Sequence, residues 1–421
     1  MQQMNKKQSL FRNLTLLLFM IFASHTLMAQ TDSLKVAHSE FKPAVETKAA
    51  TKWYDKFAIR GYSQIRYNRL LETNPNINCE QCDKSIGKNG GIFMRRMRVI
   101  IYGQVNKQVY FYVQPDFASS AASDKLHFGQ IRDAYFDVGL DESNEFRFRF
   151  GQSKVPFGFE NMQSSQNRLP LDRHDALNSA VANERDMGVF FYWAPKKTRK
   201  LFSELVSSGL KGSGDYGVFA YGVYNGQTAN TPELNDELHQ VARITYPFQV
   251  GSQIIEAGVQ GYTGKYVLPK ANLSTGVKTA NKDLNYDDQR VAASFILYPK
   301  PFGIQLEYNV GKGPEYNKNT GTIETKNLKG GYLLLNYQLH AGKHLFIPFT
   351  RMHTYQGGKK HERDARSYRV NEVEIGMEWQ PIKQFELVAM YTISERRFED
   401  HTLQNNLQSG EFLRLQAQVN F

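Results

Sequence analysis

Cysteine is almost missing: 421 residues carry two, Cys79 and Cys82, in NCEQCDK. A single CxxC with no second pair and no nearby histidine pair cannot complete a tetrahedral zinc site. Tryptophan is also scarce, at 3 residues against 23 Tyr and 28 Phe. No apolar run reaches the ~20 residues that a membrane-spanning helix needs. Neither G-x-S-x-G nor H-E-x-x-H occurs, so a hydrolase elbow and a zinc-protease helix are both excluded. No dense Lys/Arg block, zinc-finger or RNP pattern is present, which sets nucleic acid aside as a partner. The sequence therefore assigns no catalytic residue, no metal ligand and no cofactor, and the chain does not read as an enzyme.

What is there begins with a leader. Lys6, Lys7 and Arg12 precede the apolar run Leu14–Phe22, and Ala29 offers a small residue before Gln30. That order predicts a secretory signal peptide over residues 1–29. No cysteine sits at its end, which argues against a lipid anchor. Export places Cys79 and Cys82 in an oxidising compartment, where a local loop disulfide is expected. The formal charge of +11 becomes +8 once the three leader cations are removed. A basic exported chain can meet anionic lipid or small anions. Residues 30–54 are polar and read as a flexible leader.

From residue 55 onward apolar and polar residues alternate. In IRDAYFDVGLDESNEFRFRFG, Ala134, Phe136, Val138 and Leu140 share one face, and Asp133, Tyr135 and Asp137 the other. Phe146, Phe148 and Phe150 oppose Arg147 and Arg149 in the same way. Side chains flip face at every strand residue, so these are ribbons with one greasy and one charged surface.

About sixteen such segments follow, each ~10 residues long, the length a tilted spanning strand requires. Tight connections such as Asn106-Lys107 alternate with long ones, including 72–91, 155–185 and 313–327. The connection 196–213 breaks the rhythm, being long and basic on the tight-turn side. The pattern predicts an all-β transmembrane antiparallel β-barrel over residues 55–421, with short periplasmic turns and long extracellular loops. A closed barrel leaves no unpaired edge in hydrocarbon.

If the apolar parity meets lipid, the charged parity lines a lumen. It carries Arg60, Arg66, Arg96, Arg98, Arg147, Arg149, Arg243, Arg290 and Arg414. A charge on the lipid face at mid-bilayer costs ~2–4 kcal/mol, so repeated arginine on one parity implies water on that side. Arg351 has ambiguous parity. Asp133, Asp137, Glu307, Glu372, Glu374, Glu378 and Glu386 share the inner face. Two readings stay open: a balanced wall of a general pore, or an arginine path that prefers anions. The long segment 155–185, with Arg168, Arg173 and His174, either folds inward as a constriction or stays outside. His174 reads as a solvated loop histidine.

The order RRMRVIIYGQV, IRDAYFDV, FRFRFGQSKVPFGFE and ERDMGVFF resembles the phosphate-selective porin O and P family. The resemblance implies a sixteen-stranded outer-membrane barrel, a homotrimer, an inward loop and a basic lumen for passive uptake of small anions such as phosphate. By that resemblance Arg95, Arg96, Arg98, Lys154, Glu160 and Arg185 are anion-path or loop residues. The closing strand FLRLQAQVNF, ending on Phe421, looks like the signal read by the barrel-assembly machinery, with outer-membrane lipid as the other partner. The competing reading is a structural or adhesive barrel whose loops bind a partner.

Overall fold

The computed structural model describes residues 52–77, 79, 91–118 and 128–421. The expected signal peptide, the leader up to residue 51, and Cys82 lie outside the described residues. Cys79 is buried and disulfide-bonded.

The alternation forms the expected strands. They are β1 Phe57–Leu70, β2 Ile92–Gln104, β3 Val109–Asp116, β4 Gln130–Gly139, β5 Phe146–Lys154, β6 Arg185–Trp193, β7 Phe219–Tyr224 and β8 His239–Val250. The second half supplies β9 Gln253–Val267, β10 Asn285–Leu297, β11 Phe302–Asn317, β12 Thr322–Tyr337, β13 His344–Gly358, β14 Ser367–Ile382, β15 Phe385–Glu399 and β16 Leu407–Asn420. Two short ribbons, Lys278–Thr279 and Leu339–Ala341, bring the sheet to 18 strands, of which sixteen make the wall. Wall neighbours pair antiparallel, and β16 returns to β1 from Tyr62↔Asn420 to Leu70↔Leu413, closing the barrel. Among the described residues no helix is long and apolar enough to cross a membrane; the crossing elements are strands.

The two faces separate as the sequence pattern requires. Outward residues such as Ile244 (61% exposed) and Val291 (57%) stand bare for lipid. Their neighbours Arg243 and Arg290 are 2% exposed and point in. The expected long loop 313–327 is instead a continuation of β11 and β12, with only residues 318–321 turning between them. The register from Gly313↔Lys326 to Asn317↔Thr322 stays paired, so the ladder projects beyond the alternating apolar region.

The barrel is not hollow. Residues 155–184 enter from the loop rim, carrying the single-turn helices α1 Phe159–Met162 and α2 Asp175–Asn178. The basic connection at the turn rim forms helix α3 Lys196–Ser207, followed by an irregular stretch to residue 218. Phe202 and Leu205 of α3 pack with Phe159 of the first insert and Ile254, Ile296 and Tyr298 of the wall. Gln163 Nε2 donates to the Lys211 carbonyl at 2.6 Å, and Lys211 Nζ reaches Glu378 of β14 at 2.6 Å. Two inserts from opposite rims thus meet inside the wall. The sequence marked the second only as the long basic break at 196–213 and not as an insert, because its helix is a short amphipathic interruption with no strand pattern to follow.

Candidate pore interior

Three carboxylates of the inward segment decide where many wall arginines go. Asp172 accepts from Arg414 at 2.6 Å and from Arg66 at 3.3 Å, with Arg95 at 3.9 Å. Glu160 of α1 accepts from Arg351 at 2.6 Å, and the same guanidinium donates to Glu374 at 2.6 Å. Asp175 of α2 accepts from Arg396 at 2.8 Å and from Lys359, while Arg396 also donates to Glu372 at 2.7 Å. The segment is stapled to the arc running from β13 through β16 to β1 and β2.

Other basic side chains fasten it elsewhere. Lys154 donates to the Met162 and Gln163 carbonyls at 3.0 and 2.6 Å. Arg290 donates to the Ala176 carbonyl and the Ser179 hydroxyl, both at 2.8 Å. Arg185 pairs with Asp133 at 2.9 Å and with Glu184. Glu184 also holds Arg168 at 2.8 Å and Arg173 at 3.4 Å. Within the wall, Arg149 makes a two-pronged pair with Asp137 at 2.7 and 2.9 Å, and Arg147 reaches out of it to Asp215 of the second insert at 2.9 Å. Arg243 meets Glu256 at 3.3 Å. Arg60 is exposed near the turn rim, its guanidinium 5.5 Å from the Tyr102 ring centre.

Gly158 makes the entry to α1 possible. Its φ of +85° suits glycine, and a Cβ there would sit 2.5 Å from Leu177.

A bulge sets the basic patch on β2. Gln64 faces Arg96 while Ile65 faces Met94, so Arg95 is an extra residue in that strand. The bulge lets Arg95 reach Asp172 although strict alternation would send it to lipid. Arg98 pairs with Asp116 at 2.8 Å and donates to Tyr62 and Ser165 at 2.7 and 3.0 Å. Arg96 is different: its partner is the neutral Gln64 oxygen at 2.7 Å. Among the described residues no carboxylate pairs with it, and it lies in the repulsive field of Arg95, Arg98, Arg168 and Arg66.

The inserted groups are tuned by this packing. Burial disfavours the Glu160 carboxylate, yet Arg351 and the His174 hydrogen bond outweigh it and hold the group at about 2. Asp172 is pushed down by Arg66 and Arg414 against the same desolvation, and Glu184 by Arg168 and Arg173. His174 is buried and not solvated as expected, because Glu160 draws its Nδ1 to 2.7 Å inside the barrel. Desolvation lowers its pKa, with Glu160 opposing.

Asp175, His353 and Glu372 bring ligand atoms within 4.8 Å of one another. Arg396 and Lys359 already balance the two carboxylates, so the cluster reads as an ion-pair network. Sequence reasoning missed Asp172, Asp175, Glu184 and Arg396. The three acids lie in an irregular segment with no periodicity, whereas Arg396 shares the parity of Ser394 and could have been found. Arg351 resolves as an inward, fully buried residue.

A closed sixteen-stranded barrel with a bare apolar exterior and a charged, partly filled interior defines an outer-membrane porin. The model of the family described as phosphate-selective porin O and P matches residues 72–421, and the chain belongs to that family. Among solved structures, the outer membrane channel DcaP of Acinetobacter baumannii is similar at a TM-score of 0.54 and 14% identity, covering 87% of this chain and 97% of that one. The trimer form of OmpT from Vibrio cholerae gives 0.51 and 12%, covering 87% and 100%. Salmonella typhi OmpF in complex with daunomycin gives 0.53 and 10%, covering 87% and 97%. At these identities the likeness is one of fold. No curated protein matches the sequence.

Proposed function

We propose that the protein is a passive channel for small hydrophilic solutes that prefers anions such as phosphate, and that it works as a homotrimer in the outer membrane. Arg96 carries the reading. A permanently charged guanidinium with a neutral partner, set among four more arginines, attracts an anion to relieve its neighbours' repulsion. The paired arginines contribute less, since each is already met by a carboxylate. The trimer rests on family membership and on the trimeric form of one structural neighbour.

Reversal potential in a salt gradient across a planar bilayer tests the preference. The expected potential favours chloride or phosphate, and Arg96→Ala shifts it toward zero by several millivolts or more. An unmoved potential in Arg96→Ala removes Arg96 from the conducting path.

One observation supports a second reading. Arg66, Arg98, Arg351 and Arg414 are 2% exposed or less. An interior this dry suits a structural or adhesive barrel that conducts weakly, and steady silence in the same recording favours it.

A further inference from the structure

We infer that three inward tyrosines and Arg60 form a binding track for organic anions that carry a flat ring. The inference rests on the channel reading above and names a solute class for it. Tyr102 of β2 lies opposite Tyr112 of β3, and Tyr112 opposite Tyr135 of β4, so the three rings share one face on adjacent strands. Tyr110 lies two residues along β3 on that same face. The ring centres are 6.5 Å apart for Tyr102–Tyr112, 6.4 Å for Tyr102–Tyr110 and 5.1 Å for Tyr112–Tyr135, the last pair nearly parallel at 12°. The strip spans three strands; the Arg149 guanidinium lies 3.7 Å from the Tyr135 ring centre and covers it, so the open rings are those of Tyr102, Tyr110 and Tyr112.

Its exposure separates it from the rest of the interior. The inward rings of Tyr62, Tyr192, Tyr262, Tyr298 and Tyr332 are buried, held under the inserts or against the opposite wall. The three track tyrosines are half-buried and Arg60 is exposed. The first insert is fastened chiefly to other sectors, through Glu160, Asp172 and Asp175, and the second is tied across the barrel by Lys211 on Glu378 and to β5 by Asp215 on Arg147.

Chemistry fixes the ligand class. Tyrosine faces stack on a flat ring. Arg60 makes no carboxylate pair among the described residues and offers its donors to an anionic group. Acetate has the charge without a ring, and glucose has a puckered ring without the charge. Glucose 6-phosphate adds the charge to the puckered ring, and only benzoate carries a flat ring with the charge.

The test is solute block of chloride current through the intact protein in planar bilayers, with each of the four probes added in turn to both sides. Benzoate is expected to reduce the current at concentrations at least tenfold below acetate, glucose and glucose 6-phosphate. In Tyr102→Leu/Tyr112→Leu the half-blocking concentration rises about tenfold, while Tyr102→Phe keeps the block. Arg60→Gln raises it several-fold for the anions alone. Equal block by all four probes overturns the inference, as does unchanged block in the double variant. If wild-type protein passes no chloride, the channel reading fails instead. Calorimetric titration with benzoate then judges the track by itself, and absence of binding sinks it.

Discussion

Arg414 of the last strand and Asp172 of the inward segment meet at 2.6 Å across 242 residues of sequence. Arg66 of the first strand shares the same carboxylate. One acid therefore fastens the insert to both sides of the seam where the barrel closes. Removing one partner of a buried ion pair costs ~3–5 kcal/mol, because the other charge is left bare. Asp172→Asn is expected to loosen the insert, raise single-channel conductance and strengthen anion preference. The heat-denaturation midpoint should fall with it. Conductance and selectivity equal to wild type would show that the staple does not limit the path.

Glu160 gives a pH window. Its carboxyl is held at about 2 against an ordinary 4.5. A depressed acid contributes stability that is complete above about 4.5 and is lost as pH falls through about 2. The hold of Glu160 on the insert should be unchanged from pH 8 to about pH 5, and conductance should turn noisy or larger as pH approaches 2, a low-pH change that Glu160→Gln removes. His174 is neutral at pH 7, since burial lowers its pKa, so its titration lies below the usual histidine range. A conductance step near pH 6.5 that vanishes in His174→Gln would contradict this.

The wall was legible in the sequence because its rule is strict. Phe146, Phe148 and Phe150 against Arg147 and Arg149 can satisfy lipid and a polar interior in one register only. The interior was harder to read, for two physical reasons. Arg95 sits on the apolar parity and turns inward only through a bulge, which alternation cannot reveal. Asp172 and Asp175 sit in an irregular segment whose path is set by the arginines it finds, some of them more than 200 residues away. Charge type was readable for Arg66 and Arg414, but whether each meets water or a carboxylate depends on that fold.

The helix at the turn rim offers a third test. Phe202 and Leu205 of α3 are each 1% exposed, packed against Ile254, Ile296 and Tyr298. Leu205→Asp places an unpaired charge in that cluster, a cost of several kcal/mol. The insert should then leave the barrel mouth. Trypsin, offered Lys196, Lys197, Arg199, Lys200 and Lys211, should nick residues 196–213 at least tenfold faster, and conductance should rise. Unchanged cleavage would mean that Lys211 and Gln163 hold the insert without the helix.

The proposed homotrimer predicts a contact surface on the barrel. Strands β3 to β7 have 8, 10, 9, 9 and 6 residues, against 16 in β11 and β12. Over these short strands the outer face is packed with rings: Phe136–Phe150 at 5.2 Å, Phe148–Phe191 at 5.3 Å and Phe146–Trp193 at 6.2 Å. Large flat rings bury more area against a second protein surface than against mobile acyl chains. Short strands also let neighbouring copies approach where the wall is low. Phe148→Asn with Phe191→Asn should convert the trimer to monomers in detergent, measured by light scattering after size exclusion. Val259→Asn with Val291→Asn, on the long-strand side, should leave it trimeric. If both pairs behave alike, the contact surface lies elsewhere on the barrel.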